Sequence, residues 1–139
     1  MEQQKLLEVY NSVLRSAVEY CSTVYHSMIP ATLANRLEKI QRQALRIIYG
    51  WDANLDEIMV AKGIETLEER REAAVLRFAL KNEDVGKYGK KWFKPAEETE
   101  RAVRSGTRKK YKVPFCRTER LKSNPITYMT TKLNEHYSN

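Results

Sequence analysis

Between Pro30 and Gly50 the chain has no helix breaker, and its apolar residues recur at three- and four-residue steps. At about 100° per residue, Leu33, Leu37, Ile40, Ala44, Ile47 and Ile48 share one face. That period predicts a helix over 31–49 and excludes a strand, whose faces alternate every second residue. Gly50 then suits the left-handed position that ends a helix. Arg36, Lys39, Arg42 and Arg46 fall on the opposite face with Gln43 among them, and Glu38 lies on the apolar side. The basic ridge is therefore unbroken by acid along this helix. It reads either as a solvated outer face or as a surface that tracks phosphates.

The flanking segments follow the same logic. Leu6, Tyr10, Val13, Leu14, Ala17, Cys21, Val24 and Met28 predict one long helix before Pro30, although Val, Tyr and Thr crowd residues 18–25. Asn54 with Glu57 and Gly63 bracket a short helix at 54–62. Thr66-Leu67-Glu68-Glu69 matches the capping box and opens a helix to about residue 82, with Glu68, Glu69 and Glu72 at the positive end of its dipole. None of these stripes can be buried alone. The expected fold is all-α, a small bundle of about four helices over residues 1–83. Residues 84–139 are expected as a basic, irregular linker and tail punctuated by Gly86, Gly89, Pro95 and Gly106. Trp92 and Phe93 there either anchor the chain to the bundle or stack on bases. A short helix at about 125–136, capped by Asn124, would carry Ile126, Met129 and Leu133 inward.

Charge is unevenly placed. Residues 1–100 carry 15 Lys/Arg against 16 Asp/Glu, and residues 123–139 balance to zero. Residues 101–122 carry nine cations against Glu119 alone, so the whole formal charge of +7 traces to one window. Such asymmetry points to a polyanionic partner, most simply nucleic acid.

The residue types for catalysis are sparse. His26 and His136 are the two histidines, and neither has Cys or carboxylate neighbours at zinc-ligand spacing. No phosphate-binding glycine loop or nucleophile elbow occurs. Asp52, Asp56 and Asp84 offer no adjacent Asp pair to hold two magnesium ions. Two cysteines, Cys21 and Cys116, form no disulfide framework, which suits a reducing intracellular setting, cytoplasmic or nuclear. Cys21 reads as a small apolar residue within its helix. No run approaches the length of a membrane span, and MEQQKLLEVY is not a signal peptide. The chain is expected to be no enzyme by itself and to need no cofactor and no metal.

Several runs taken together resemble a known pattern. Tyr10, Ser12, Arg15, Glu19-Tyr20, Tyr25-His26-Ser27, Leu37-Glu38-Lys39-Ile40-Gln41-Arg42 and Ala44-Leu45-Arg46-Ile47-Ile48 form the first block. Gly63-Ile64-Glu65-Thr66-Leu67-Glu68-Glu69-Arg70-Arg71 with Phe78-Ala79-Leu80-Lys81 form the second. Lys110-Tyr111-Lys112, Arg117-Thr118-Glu119-Arg120-Leu121 and Ser123-Asn124-Pro125-Ile126 form the third. In this order they resemble the region after the palm in reverse transcriptases of animal non-LTR (LINE-type) retrotransposons of the jockey and chicken-repeat kind. The sequence departs from that pattern at Tyr25, where such elements usually carry Trp, and over Lys132–His136, where Trp-Asn-x-Leu-Pro is usual.

The resemblance implies that residues 1–83 are thumb and post-thumb helices that hold a template–primer duplex. The catalytic carboxylates of the parent RNA-directed DNA polymerase would lie upstream, and Met1 would be an internal start. The expected function is non-catalytic binding of RNA–DNA or DNA duplex through backbone phosphates. Its expected contacts are Arg36, Lys39, Arg42, Arg46, Arg104, Arg108, Lys109, Lys110, Lys112, Arg117 and Arg120. Alternatives are a protein–protein module that self-associates or meets an upstream palm, and a relic bundle with no polymerase-related function.

Overall fold

The computed structural model describes residues 2–83, 86–96 and 110–138. It is all-α: among these residues the secondary structure is helical, apart from one isolated bridge between Pro95 and Tyr111. The helices are α1 (Gln3–Val9), α2 (Ser16–Glu19), α3 (Ser22–Tyr25), α4 (Ala31–Tyr49), α5 (Leu55–Lys62), α6 (Leu67–Asn82), α7 (Gly86–Trp92), α8 (Glu119–Lys122) and α9 (Pro125–Ser138). None of them is long and apolar enough to cross a membrane.

The chain divides into two compact units, residues 1–22 with 29–73, and 23–28 with 74–139. The division falls inside α6. The first unit packs α1 and the following turns onto α4, with Tyr10, Ala44 and Ile48 buried and Leu6, Leu7 and Tyr49 against them. The second unit has its own core of Val75, Ala79, Phe93, Tyr111, Met129 and Leu133. Phe93 and Tyr111 from the segment expected as linker and tail join Met129 and Leu133, expected inward on the last helix, in this core.

The single long helix expected before Pro30 is broken. A π-turn at Tyr10–Arg15 follows α1. Ser12 and Ser16 donate their hydroxyls back to the carbonyls of Glu8 and Ser12, at 2.8 and 2.6 Å, a bonding mode that bends helices. At Tyr20 the backbone leaves helical geometry, and Cys21 takes φ 54. Cys21 is consequently exposed instead of packed on an apolar face. The β-branched and aromatic residues around it hold a helix weakly, so tertiary packing decided its end.

Asn54 precedes α5 without a side-chain cap hydrogen bond, whereas the following signals act as their residue types require. Thr66 Oγ1 accepts from the Glu69 amide at 3.2 Å while the Glu69 carboxylate accepts from the Thr66 amide at 3.0 Å, a reciprocal capping box. Gly63 closes α5 with φ 61. Asn124 Oδ1 accepts from the Ile126 amide at 3.0 Å at the start of α9. Met129 and Leu133 are buried as expected, whereas Ile126 stays 36% exposed.

Residues 94–96 and 110–112 pair antiparallel. The Ala96 amide donates to Lys110 O at 3.0 Å, and the Lys112 amide to Lys94 O at 2.8 Å. Asn134 holds the same strand with its side-chain amide. It accepts from the Tyr111 amide at 2.8 Å and donates to the Tyr111 carbonyl at 2.9 Å. Phe93 is buried in this core with Trp92 packed beside it, so these aromatics anchor the chain.

Candidate nucleic-acid interface

Helix α4 sets the geometry of the basic ridge. Its buried side is centred on Gln41, Leu45 and Ile48, with Ala44 beside them. Leu33, Ile40 and Ile47, expected on that face, are 45%, 40% and 71% exposed. The face is rotated because Gln41 takes its centre. The Gln41 amide donates to the Glu65 carbonyl at 3.0 Å, a partner that a hydropathy pattern does not register. Glu38 turns inward as expected from its side of the helix. Its carboxylate accepts the amides of Leu67 and Glu68 at 3.2 and 2.8 Å, capping α6. It also lies 3.8 Å from Arg71 Nη2, and Arg71 is 1% exposed.

With Glu38 withdrawn, Arg36, Lys39, Arg42 and Arg46 all point to solvent. Over ten residues they span about 15 Å of helix axis. They are not equivalent. Arg42 meets Asp56 of α5 at 2.9 Å, so the ridge is not free of acid in three dimensions. This pair is solvent-exposed and weak, worth well under 1 kcal/mol by the usual measure of such pairs. The Arg46 guanidinium sits 5.7 Å from the ring centroid of Trp51. Arg36 and Lys39 form no ion pair with a described residue. A second charge cluster joins α2 to α6. Glu19 accepts from Arg15 Nε at 3.1 Å and from Arg70 Nε and Nη2 at 2.5 and 3.0 Å. Burial pushes the Glu19 carboxyl up, but these arginines together hold it below its ordinary value.

Among the cations expected downstream, Arg104, Arg108 and Lys109 lie outside the described residues. Lys110 is committed within the second unit. Its Nζ lies 3.6 Å from Glu83 Oε2 and 3.8 Å from the centroid of Tyr137. Glu83 also accepts the hydroxyls of Tyr111 at 2.9 Å and Tyr137 at 2.5 Å. Burial raises the Glu83 carboxyl, yet the hydrogen bonds from Tyr137 and Tyr111 and the Lys110 charge outweigh it and lower it overall. The Tyr111 hydroxyl is pushed up to about 12, first by burial and then by its bond to Glu83. The Tyr137 hydroxyl beside Lys110 is the main reason its ammonium is held more firmly protonated. Lys110 thus ties residues 110–112 to Glu83 while its side chain stays partly exposed. Lys112, Arg117 and Arg120 are exposed, while Glu119 is drawn to Lys122 at 2.6 Å.

Sequence reasoning missed Trp51 and Asp56 as parts of the α4 surface. A tryptophan directly after the helix-ending glycine was the available signal for the first; nothing local marked the second. Among the described residues no group of three His, Cys, Asp or Glu is placed to hold a metal. The chain matches no protein-family model, no curated protein and no solved structure.

Proposed function

We propose that this chain is a non-catalytic nucleic-acid-binding module of the kind found after the palm in LINE-type reverse transcriptases, gripping duplex through backbone phosphates. The observation that carries the reading is the α4 ridge, where Arg36 and Lys39 stand exposed without a described acidic partner and Arg42 and Arg46 continue the row. Lys112, Arg117 and Arg120 supply further exposed charge. Side chains of this kind position a duplex and do not read its sequence. A protein–protein module is the second reading, favoured by Leu33, Ile40 and Ile47, which leave an apolar row exposed along the same helix.

Anisotropy titration of labelled RNA–DNA duplex at several salt concentrations separates the two. Phosphate binding gives a log K against log salt slope of about −3 to −5, at roughly −0.9 per neutralised phosphate. Changing Arg36 and Lys39 to Gln should flatten the slope by about 2 and weaken all duplex sequences alike. A salt-independent affinity, or a double variant that binds like the parent, refutes the nucleic-acid reading. Hydrophobic association would instead hold or tighten with salt.

A further inference from the structure

We infer that Trp51 is a base-stacking residue, so that this surface takes nucleic acid with an unpaired base, such as a single-stranded overhang next to a duplex. The inference rests on the nucleic-acid reading above and names the ligand class more narrowly. Trp51 is 70% exposed, an uncommon state for the side chain with the largest apolar surface. It stands at the C-terminal end of the basic ridge. There the Arg46 guanidinium, 5.7 Å from the ring centroid, places a cation beside the π-system.

The backbone fixes this placement. Gly50 has φ 103 and ψ 158, a region essentially confined to glycine. A Cβ there would meet nothing within 4 Å, so the glycine is needed for its conformation and not for space. Its amide still bonds to Arg46 O at 2.8 Å, which ties the turn to the residue that neighbours the indole. The chain therefore leaves α4 abruptly and sets Trp51 outside the packed face.

A base has a π-face whatever its sequence, so an exposed indole beside a phosphate-tracking row suits an unstacked base. A duplex interior offers no such face, because its bases are stacked on one another. Asp52 is the next residue and carries the wrong sign for phosphate. The cation beside the indole is thus on the Arg46 side.

The test compares a short blunt RNA–DNA duplex with the same duplex carrying a single-stranded overhang, by anisotropy at fixed salt. One stacked base favours the overhang by about 5- to 150-fold. Trp51→Ala should bring the overhang-to-blunt affinity ratio close to one, Trp51→Phe should restore part of it, and Tyr20→Ala should leave the ratio as in the parent. A parent protein that binds both duplexes with the expected salt slope but shows no overhang preference overturns the stacking inference alone. So does a Trp51→Ala variant that keeps the preference. Absence of salt-dependent binding to either duplex overturns both this inference and the function on which it rests.

Discussion

Removing Glu38 should do more damage than its partly exposed position suggests. Its carboxylate accepts two backbone amides at the start of α6 and lies 3.8 Å from the buried guanidinium of Arg71. Arg71 Nε and Nη1 have no hydrogen-bond partner among the described residues, where Glu38 is the acid paired with that charge. Losing a helix cap costs about 1 kcal/mol, and leaving a buried cation without its partner about 3–5 kcal/mol. Because 3.8 Å is longer than a direct hydrogen bond, the lower end applies, and Glu38→Ala should cost about 4 kcal/mol. Arg71→Met removes a buried charge and two unsatisfied donors while keeping an unbranched apolar stem. That change should cost less than about 1 kcal/mol. In the Arg71→Met background Glu38→Ala should then cost only its cap, about 1 kcal/mol, giving a coupling near 3 kcal/mol. Urea unfolding followed by far-ultraviolet circular dichroism reads the Glu38→Ala cost as a midpoint shift of about 2 M, and the coupling as about 1.5 M, at a slope near 2 kcal/mol/M. Amide exchange at Leu67 and Glu68 gives a local check. Additive single effects, or Arg71→Met proving worse than Glu38→Ala, would refute the reasoning.

Further outcomes follow from the second unit and the turns. Asn134→Leu should destabilise by about 2–4 kcal/mol in urea melts, because the buried amide and carbonyl of Tyr111 both lose their partner. The Tyr111 hydroxyl keeps its proton up to about 12 in the folded chain. Its contribution is therefore fully present below its ordinary value near 10 and is lost as pH rises through about 12. A late-titrating tyrosine absorbance, brought earlier by Glu83→Gln, checks this. The Glu83 and Glu19 carboxyls are both lowered, so their contribution is present above the unfolded carboxylate value near 4.3. It should fade as pH falls through their folded values, measured as a declining melting temperature. Gly50→Ala should cost about 1–3 kcal/mol through backbone strain alone, read from its urea midpoint.

What could be read from the sequence was whatever short-range chemistry decides. Pro30 and Gly50 delimit α4, Thr66 and Glu69 form the capping box, Gly63 ends α5 and Asn124 opens α9. Each signal acts over three or four residues, so the chain next to it determines the outcome. The exposed basic side of α4 was legible for the same reason, since helical period alone puts Arg36, Lys39, Arg42 and Arg46 together.

The long-range outcomes depended on partners that no local pattern names. Gln41 lies at the centre of the buried face with its amide on the Glu65 carbonyl, while Ile40 and Leu33 stay exposed. Arg42 acquired Asp56 from a neighbouring helix, and Glu38 became the cap of one that starts 29 residues later. Met129 and Leu133 were expected inward, but nothing local showed that Asn134 would satisfy the buried backbone of Tyr111, or that Glu83 would gather Tyr111, Tyr137 and Lys110. Local pattern placed α4, α5, α6 and α9, but not the breaks before Pro30 or the helix at Gly86–Trp92. Burial of a polar group is costly where its hydrogen bonds are not made, and tertiary structure alone decides which part of the chain supplies a partner.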